Sequence, residues 1–225
     1  MDETAEVRMV TPDDGATTRD KRAFDRFVNF SDAVFAIAIT LLVLDVRLPV
    51  VDSTGIRPPL AAQLPGLAPN LFAFALSFVV IGGYWMAHHR LFKLVDRSDS
   101  RLMWLNQLVL FFIVLLPLPT QIVANYGDTF LGVEIYAGAM VLTGLSMLAL
   151  NSYAYAAHLT APTADFRVSM IKSTPTPLIF ALSMLVAFWS PAWATRMWWL
   201  IAVAFFVVDP LVNSDWHLSR GKAKR

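Results

Sequence analysis

The chain has 225 residues, of which 56% are hydrophobic and 16% charged, with a formal net charge of +1 and a mean hydropathy of +0.55. Soluble domains of this size carry about 25% charged residues, so this composition excludes them and points to an integral membrane protein. The near-neutral charge argues against a nucleic-acid partner. The lack of cysteine excludes disulfides, thiolate metal sites and thiol catalysis.

Residues 1–22 are polar, with Asp2, Glu3, Glu6, Asp13 and Asp14 and no apolar period, and read as a disordered cytosolic tail. Residues 23–213 hold the hydrophobic segments, and residues 214–225 form a short basic cytosolic tail. The first segment runs from Arg26 to Val46 and is about 31 Å long as a helix, roughly one hydrocarbon core. At about 100° per residue, Phe30, Ile37, Leu41, Leu44 and Leu48 share a narrow sector, with Ala33 and Val34 at its margins. Thr40 sits roughly 60° to one side and Asp32 almost opposite. One face is a smooth apolar stripe and the other carries a charge.

A proline-rich loop follows, with Pro49, Pro58, Pro59, Pro65 and Pro69. The second helix is expected over about 70–92, with Ser77, Gly82, Gly83, Trp85, His88 and His89. A third follows over 102–122, with Asn106 near its start and Pro117 and Pro119 bending or ending it. A fourth is expected over 131–158 and carries Glu134. A short fifth covers about 177–189, with an alternative start near Met170, and a sixth runs from Pro191 to about Val212. Trp189, Trp193, Trp198 and Trp199 have the look of an interfacial aromatic belt.

Loop charge orients these segments. Fifteen of the 18 Lys and Arg residues fall on one side, leaving Arg47, Arg57 and Arg196 on the other. The positive-inside rule then gives six spans with both termini in the cytosol. The expected architecture is therefore all-α, a six-helix multi-pass protein of the plasma membrane. Arg26, Ser31, Asp32, Trp85, His88, His89 and Asn106 all fall at the cytosolic ends of the first three helices. Unpaired, each is expensive at that depth, so they are expected to satisfy one another as a polar support cluster. A spacing of six puts Arg26 and Asp32 on different sides of their helix, so their partners belong to other helices. A structural clamp and a pH-responsive support through His88 or His89 both fit this pattern.

Little here suits catalysis, and no enzyme activity or cofactor is expected. Adjacent His88 and His89 diverge by about 100° on a helix, unlike a metal-binding i, i+4 pair. No nucleophile elbow surrounds Ser31 or Ser77. A secondary transporter would want matching halves with interrupted helices, which this chain does not display. A transporter and a non-conducting membrane scaffold remain the alternatives to a channel.

The pattern Arg26-x-x-x-Phe30-Ser31-Asp32 before an apolar run resembles the signature of the transmembrane-protein-175 family of potassium channels. Trp85-x-x-His88-His89-Arg90 and Trp104-Leu105-Asn106 extend the resemblance into the second and third helices. The resemblance implies that the first helix lines a pore in a homotetramer. Ile37 would form the constriction, Leu41 and Leu44 would continue the pore face, and Thr40 would supply a hydroxyl beside it. One stripe cannot enclose a pore, whereas a symmetric ring of stripes can. A hydrophobic ring gates by dewetting. The Thr-Val-Gly-Tyr-Gly loop of carbonyl-filter channels is absent. The expected function is a potassium-permeable, leak-type channel that holds potassium only in transit and has no structural metal.

Overall fold

A chain in lipid has no water to serve its backbone, so its spanning segments must close their own hydrogen bonds as helices. The computed structural model describes residues 12–46, 59–162 and 165–203. Its elements are α1 (Pro12–Leu41), a 3-10 turn (Leu42–Asp45), α2 (Leu60–Phe92), α3 (Ser100–Leu115), α4 (Pro117–Tyr126) and α5 (Phe130–Ala156). Then come α6 (Phe166–Ser173), α7 (Pro175–Ala187), α8 (Pro191–Met197) and α9 (Trp199–Val203). Five stretches among the described residues are long and apolar enough to cross a membrane: Arg22–Leu44, Leu64–Phe92, Ser100–Tyr126, Phe130–Ala156 and Phe166–Ala187.

Local chemistry sets the ends. Asp99, Thr129 and Asp165 cap α3, α5 and α6, accepting from Leu102 N at 2.7 Å, Gly132 N at 3.1 Å and Arg167 N at 2.9 Å. Proline opens α4, α7 and α8 at a position whose N–H has no helical partner anyway. Pro117 also divides the third span into α3 and α4, because it cannot donate to the carbonyl of Ile113. Leu116 N takes that carbonyl instead, at 3.2 Å.

Several boundaries differ from the sequence reading. Helix α1 starts at Pro12, so the expected disordered tail over 1–22 is helical from residue 12; residues 1–11 lie outside the described residues. Helix α2 starts at Leu60 and contains Pro65 and Pro69, which were expected in a loop. Leu64, Pro65 and Gly66 are exposed, so water can serve carbonyls there that proline leaves without a donor. The fifth span is two short helices, broken at Thr174 before Pro175. The sixth begins at Pro191, but its expected end near Val212, Leu48, the loop over 47–58 and the tail over 214–225 fall outside the described residues. Trp189, Trp193 and Trp199 are exposed as a belt requires, whereas Trp198 is buried and donates its indole N–H to Ser183 Oγ at 2.9 Å.

Helix α5 is the hub, packed against α3, α4 and α7. At Gly144 an added Cβ would lie 2.4 Å from Pro177 Cβ, so only glycine lets α5 and α7 approach this closely. Buried hydroxyls tie the frame together. Tyr84 OH donates to the Met140 carbonyl at 2.9 Å. Ser77 Oγ bridges Thr120 Oγ1 at 2.8 Å and Tyr136 OH at 3.0 Å. On the basic side, the α2–α3 and α5–α6 turns pair through Asp96 N to Leu159 O at 2.9 Å and Ala161 N to Leu94 O at 2.7 Å.

Asp99 ties the α2–α3 turn to the end of α5. The Tyr153 hydroxyl and, next, the Leu102 N–H hold its carboxyl below the usual carboxylate range. A folded pKa below the unfolded one means that this bridge stabilises fully above the unfolded value of about 3.9, and is lost as pH falls through the folded value. The difference in thermal midpoint between wild type and Asp99→Asn is therefore expected to narrow as pH is lowered below about 4. A difference that stays constant or widens would contradict the assignment.

Candidate functional site

Helix α1 has two faces of opposite character. Ser31, Phe35 and Ala38 of α1 and Leu42 of the 3-10 turn, spaced by four, three and four residues, are buried, the helix packing against α2 and α3 and the turn against α2 and α4. Phe30, Ile37, Leu41 and Leu44 are 54%, 57%, 39% and 62% exposed. The four described stripe residues thus point away from their own subunit, as the periodicity predicts. Thr40 is exposed beside them and donates its hydroxyl to the Ile37 carbonyl at 2.9 Å. With its proton committed to the backbone, the Thr40 oxygen presents lone pairs outward, so it can accept or meet a cation.

Six of the seven residues expected in the polar cluster meet. Ser31 Oγ donates to the Phe27 carbonyl at 3.1 Å. Asn106 Nδ2 donates to Ser31 Oγ at 2.9 Å, and Asn106 Oδ1 lies 2.7 Å from His88 Nε2. A carbonyl only accepts, so Ser31 must give its proton to Phe27 and accept from the amide of Asn106. The amide oxygen then faces His88, whose Nε2 must carry the proton. Three fully buried side chains form one directed chain, and the tautomer of His88 follows from it. His88 Nδ1 has no hydrogen-bond partner among the described residues.

The second branch starts one residue along. Trp85 Nε1 donates to Asp32 Oδ1 at 2.9 Å, and His89 stacks on the Trp85 ring with centroids 5.4 Å apart and planes 21° apart. Ser31 and Asp32 diverge by about 100° on α1, and they are met from different helices, Ser31 by Asn106 of α3 and Asp32 by Trp85 of α2. Arg26 is the exception. It is exposed and takes no part in these hydrogen bonds.

Two participants escape a reading by residue type. Phe35 and Phe92 flank the His88 ring with centroids at 5.3 and 4.5 Å, closing it from water. Their four-residue spacing from Ser31 and His88 is the signal that could have found them. Beside the stripe, Phe30, Val34, Gln107, Phe111 and Val114 line an open groove of about 350 Å³ between α1 and α3. Gln107 and Thr40 are both exposed, so this face is not uniformly apolar.

The family model of the endosomal/lysosomal potassium channel TMEM175 matches residues 26–117, which contain α1 below its first turns, α2, α3 and the whole cluster. A potassium channel of Streptomyces collinus is 42% identical over 126 residues, covering 54% of this chain and 59% of that one. A potassium channel of Chamaesiphon minutus is 37% identical over 147 residues, covering 62% of this chain and 70% of that one. Among solved structures, a lysosomal potassium-selective channel TMEM175 homologue from Chamaesiphon minutus superposes with a TM-score of 0.71 at 28% identity, covering 83% of this chain and 97% of that one.

The directed chain makes a coupled prediction. Asn106→Leu leaves a buried His88 N–H without its acceptor and Ser31 without its donor, at about 1–3 kcal/mol for each group. The thermal midpoint of the variant in detergent is expected to fall accordingly. Adding Ser31→Ala removes one of the stranded groups, so the double variant should lose less than the two single losses together. Strict additivity would contradict the chain.

Proposed function

Because the chain belongs to the TMEM175 family of potassium channels, we propose that it is a potassium-permeable, leak-type cation channel. It works as a homotetramer in the plasma membrane, with both termini in the cytosol. The four α1 helices surround a common axis, and Ile37 forms the narrowest ring. Leu41 and Leu44 continue the wall, and Thr40 stands beside the constriction. Arg26, Ser31, Asp32, Trp85, His88, His89 and Asn106 support the cytosolic end of this helix, with Arg26 acting from outside the hydrogen-bonded set. The chain has no catalytic role and needs no cofactor.

The observation that carries this reading is the exposure of Ile37 on a helix whose opposite face is sealed. Lipid could cover a purely apolar stripe. Here the exposed residues of the spanning segments include Thr40 and Gln107, and polar groups facing hydrocarbon are costly. A shared aqueous axis between copies gives both a solvated or paired place. Closed cyclic symmetry lets identical stripes meet one another.

The chemistry of permeation follows from the side chains. A ring of Ile37 has no oxygen to replace water around an ion, so it conducts only when wide enough to stay wet. Bare radius discriminates weakly between hydrated potassium and sodium. The Thr40 oxygens, with their protons committed to the Ile37 carbonyls, add acceptors at the level where water is thinnest. Potassium loses its water more readily and benefits more from that arrangement.

A polar side chain at the ring removes the barrier. Ile37→Asn in liposomes is expected to admit sodium more freely, moving the potassium-to-sodium flux ratio toward unity. An unchanged ratio would remove Ile37 from the conduction path.

A further inference from the structure

Between α3, α4 and α5 the surface opens into a second groove, of about 320 Å³. That volume lies at the lower end of the roughly 300–1,000 Å³ of small-molecule sites. One wall is the α5 stripe Glu134, Gly138 and Leu142, spaced by four. The other is Phe112 and Leu115 of α3 with Pro119 of α4. Every lining side chain is apolar except Glu134.

Glu134 is an acid inside a spanning segment. The residue is half-buried, and its Oε1 has no hydrogen-bond partner among the described residues. Asp32, another acid in a described span, is held by Trp85. A carboxylate in an apolar place is costly until something that donates protons and carries positive charge reaches it. Arg196 rests its guanidinium over the Trp193 ring, 4.8 Å from the centroid. The groove thus presents one carboxylate and offers no side-chain donor. An ammonium group, with three donors and no acceptor, is the complement.

The remainder of the groove describes what the ammonium is attached to. From Glu134 to Leu142 the wall runs about 12 Å along the helix, with apolar side chains throughout. Its floor is open at Gly138, where an added Cβ would meet only Met184 Cε, at 3.9 Å. We propose that this groove is a binding site for a single-chain amphiphilic amine drawn from the membrane, its ammonium on Glu134 and its alkyl tail along Gly138 and Leu142. The site is lined by α3, α4 and α5 and by no residue of α1, and does not depend on the channel reading. Leu115 lines both grooves, so an occupant touches the helix that backs α1.

Native mass spectrometry of the full-chain assembly released from detergent tests this with decylammonium, using decanol as the neutral molecule of equal chain length. Saturable binding of one decylammonium per chain is expected, with no comparable uptake of decanol. Glu134→Gln should weaken it roughly tenfold or more, since it removes a charge-assisted hydrogen bond. Gly138→Leu keeps the carboxylate but fills the groove and should also abolish binding, which decides the matter if Glu134→Gln fails to fold. Binding that survives either substitution, or decanol bound as well as the amine, would overturn the proposal. So would an intact assembly that takes up no amine, which would assign the groove to a neighbouring copy.

Discussion

A backbone carbonyl can only accept, and the hydrogen bonds at the basic end of α1 inherit their direction from that fact. The Phe27 carbonyl takes the Ser31 proton, Ser31 takes one from Asn106, and Asn106 takes one from His88. None of these side chains has a free choice of orientation. Turning α1 about its axis by one residue, about 100°, would strand buried donors and acceptors where no water reaches them, at about 1–3 kcal/mol apiece. The rotation of α1 is therefore fixed by polar groups on its buried face. The outward direction of Ile37 is a consequence of that fixing.

The rest of the bundle is held differently. Helix α5 is tied at several levels, by Tyr84 to the Met140 carbonyl, by the Ser77, Thr120 and Tyr136 hydroxyls, and by the close contact at Gly144. Among the described residues, α1 is hydrogen-bonded to other helices through Ser31 and Asp32. Ile37 lies six residues beyond Ser31, about 9 Å along the axis. At that level α1 is seated by Phe35, Ala38 and Leu42. In the proposed channel, then, a rigid frame carries a helix that is pinned at one end and merely packed at the level of its constriction. That division suits a hydrophobic ring, whose conductance depends on small changes in bore.

The face of α1 was legible because helical periodicity is geometric: one turn angle separates Phe30, Ile37, Leu41 and Leu44 from Ser31 and Phe35. The membership of the cluster was legible because ionisable and amide groups at membrane depth need partners, and three helices supplied them at one level. Arg26 was the miss, since a long cation near the end of an apolar span can reach solvent and needs no buried partner. Proline misled in one place and informed in another. Pro117 broke the third span as its chemistry requires. Pro65 and Pro69 did not end α2, because exposed carbonyls there need no helical donor. Spacing alone could not separate Trp198 from its exposed neighbours, since its burial depends on Ser183, fifteen residues away on another helix.

Whether identical α1 stripes face one another is measured most directly by cross-linking, and the absence of native cysteine makes the chain suited to it. A disulfide forms only where Cβ atoms come within about 3.5–4.5 Å. Oxidation of Ile37→Cys protein in membranes is expected to link neighbouring copies covalently. Phe35→Cys, on the sealed face, is expected to leave every chain single. Unlinked Ile37→Cys chains, or links formed equally by Phe35→Cys, would contradict a shared axis lined by α1.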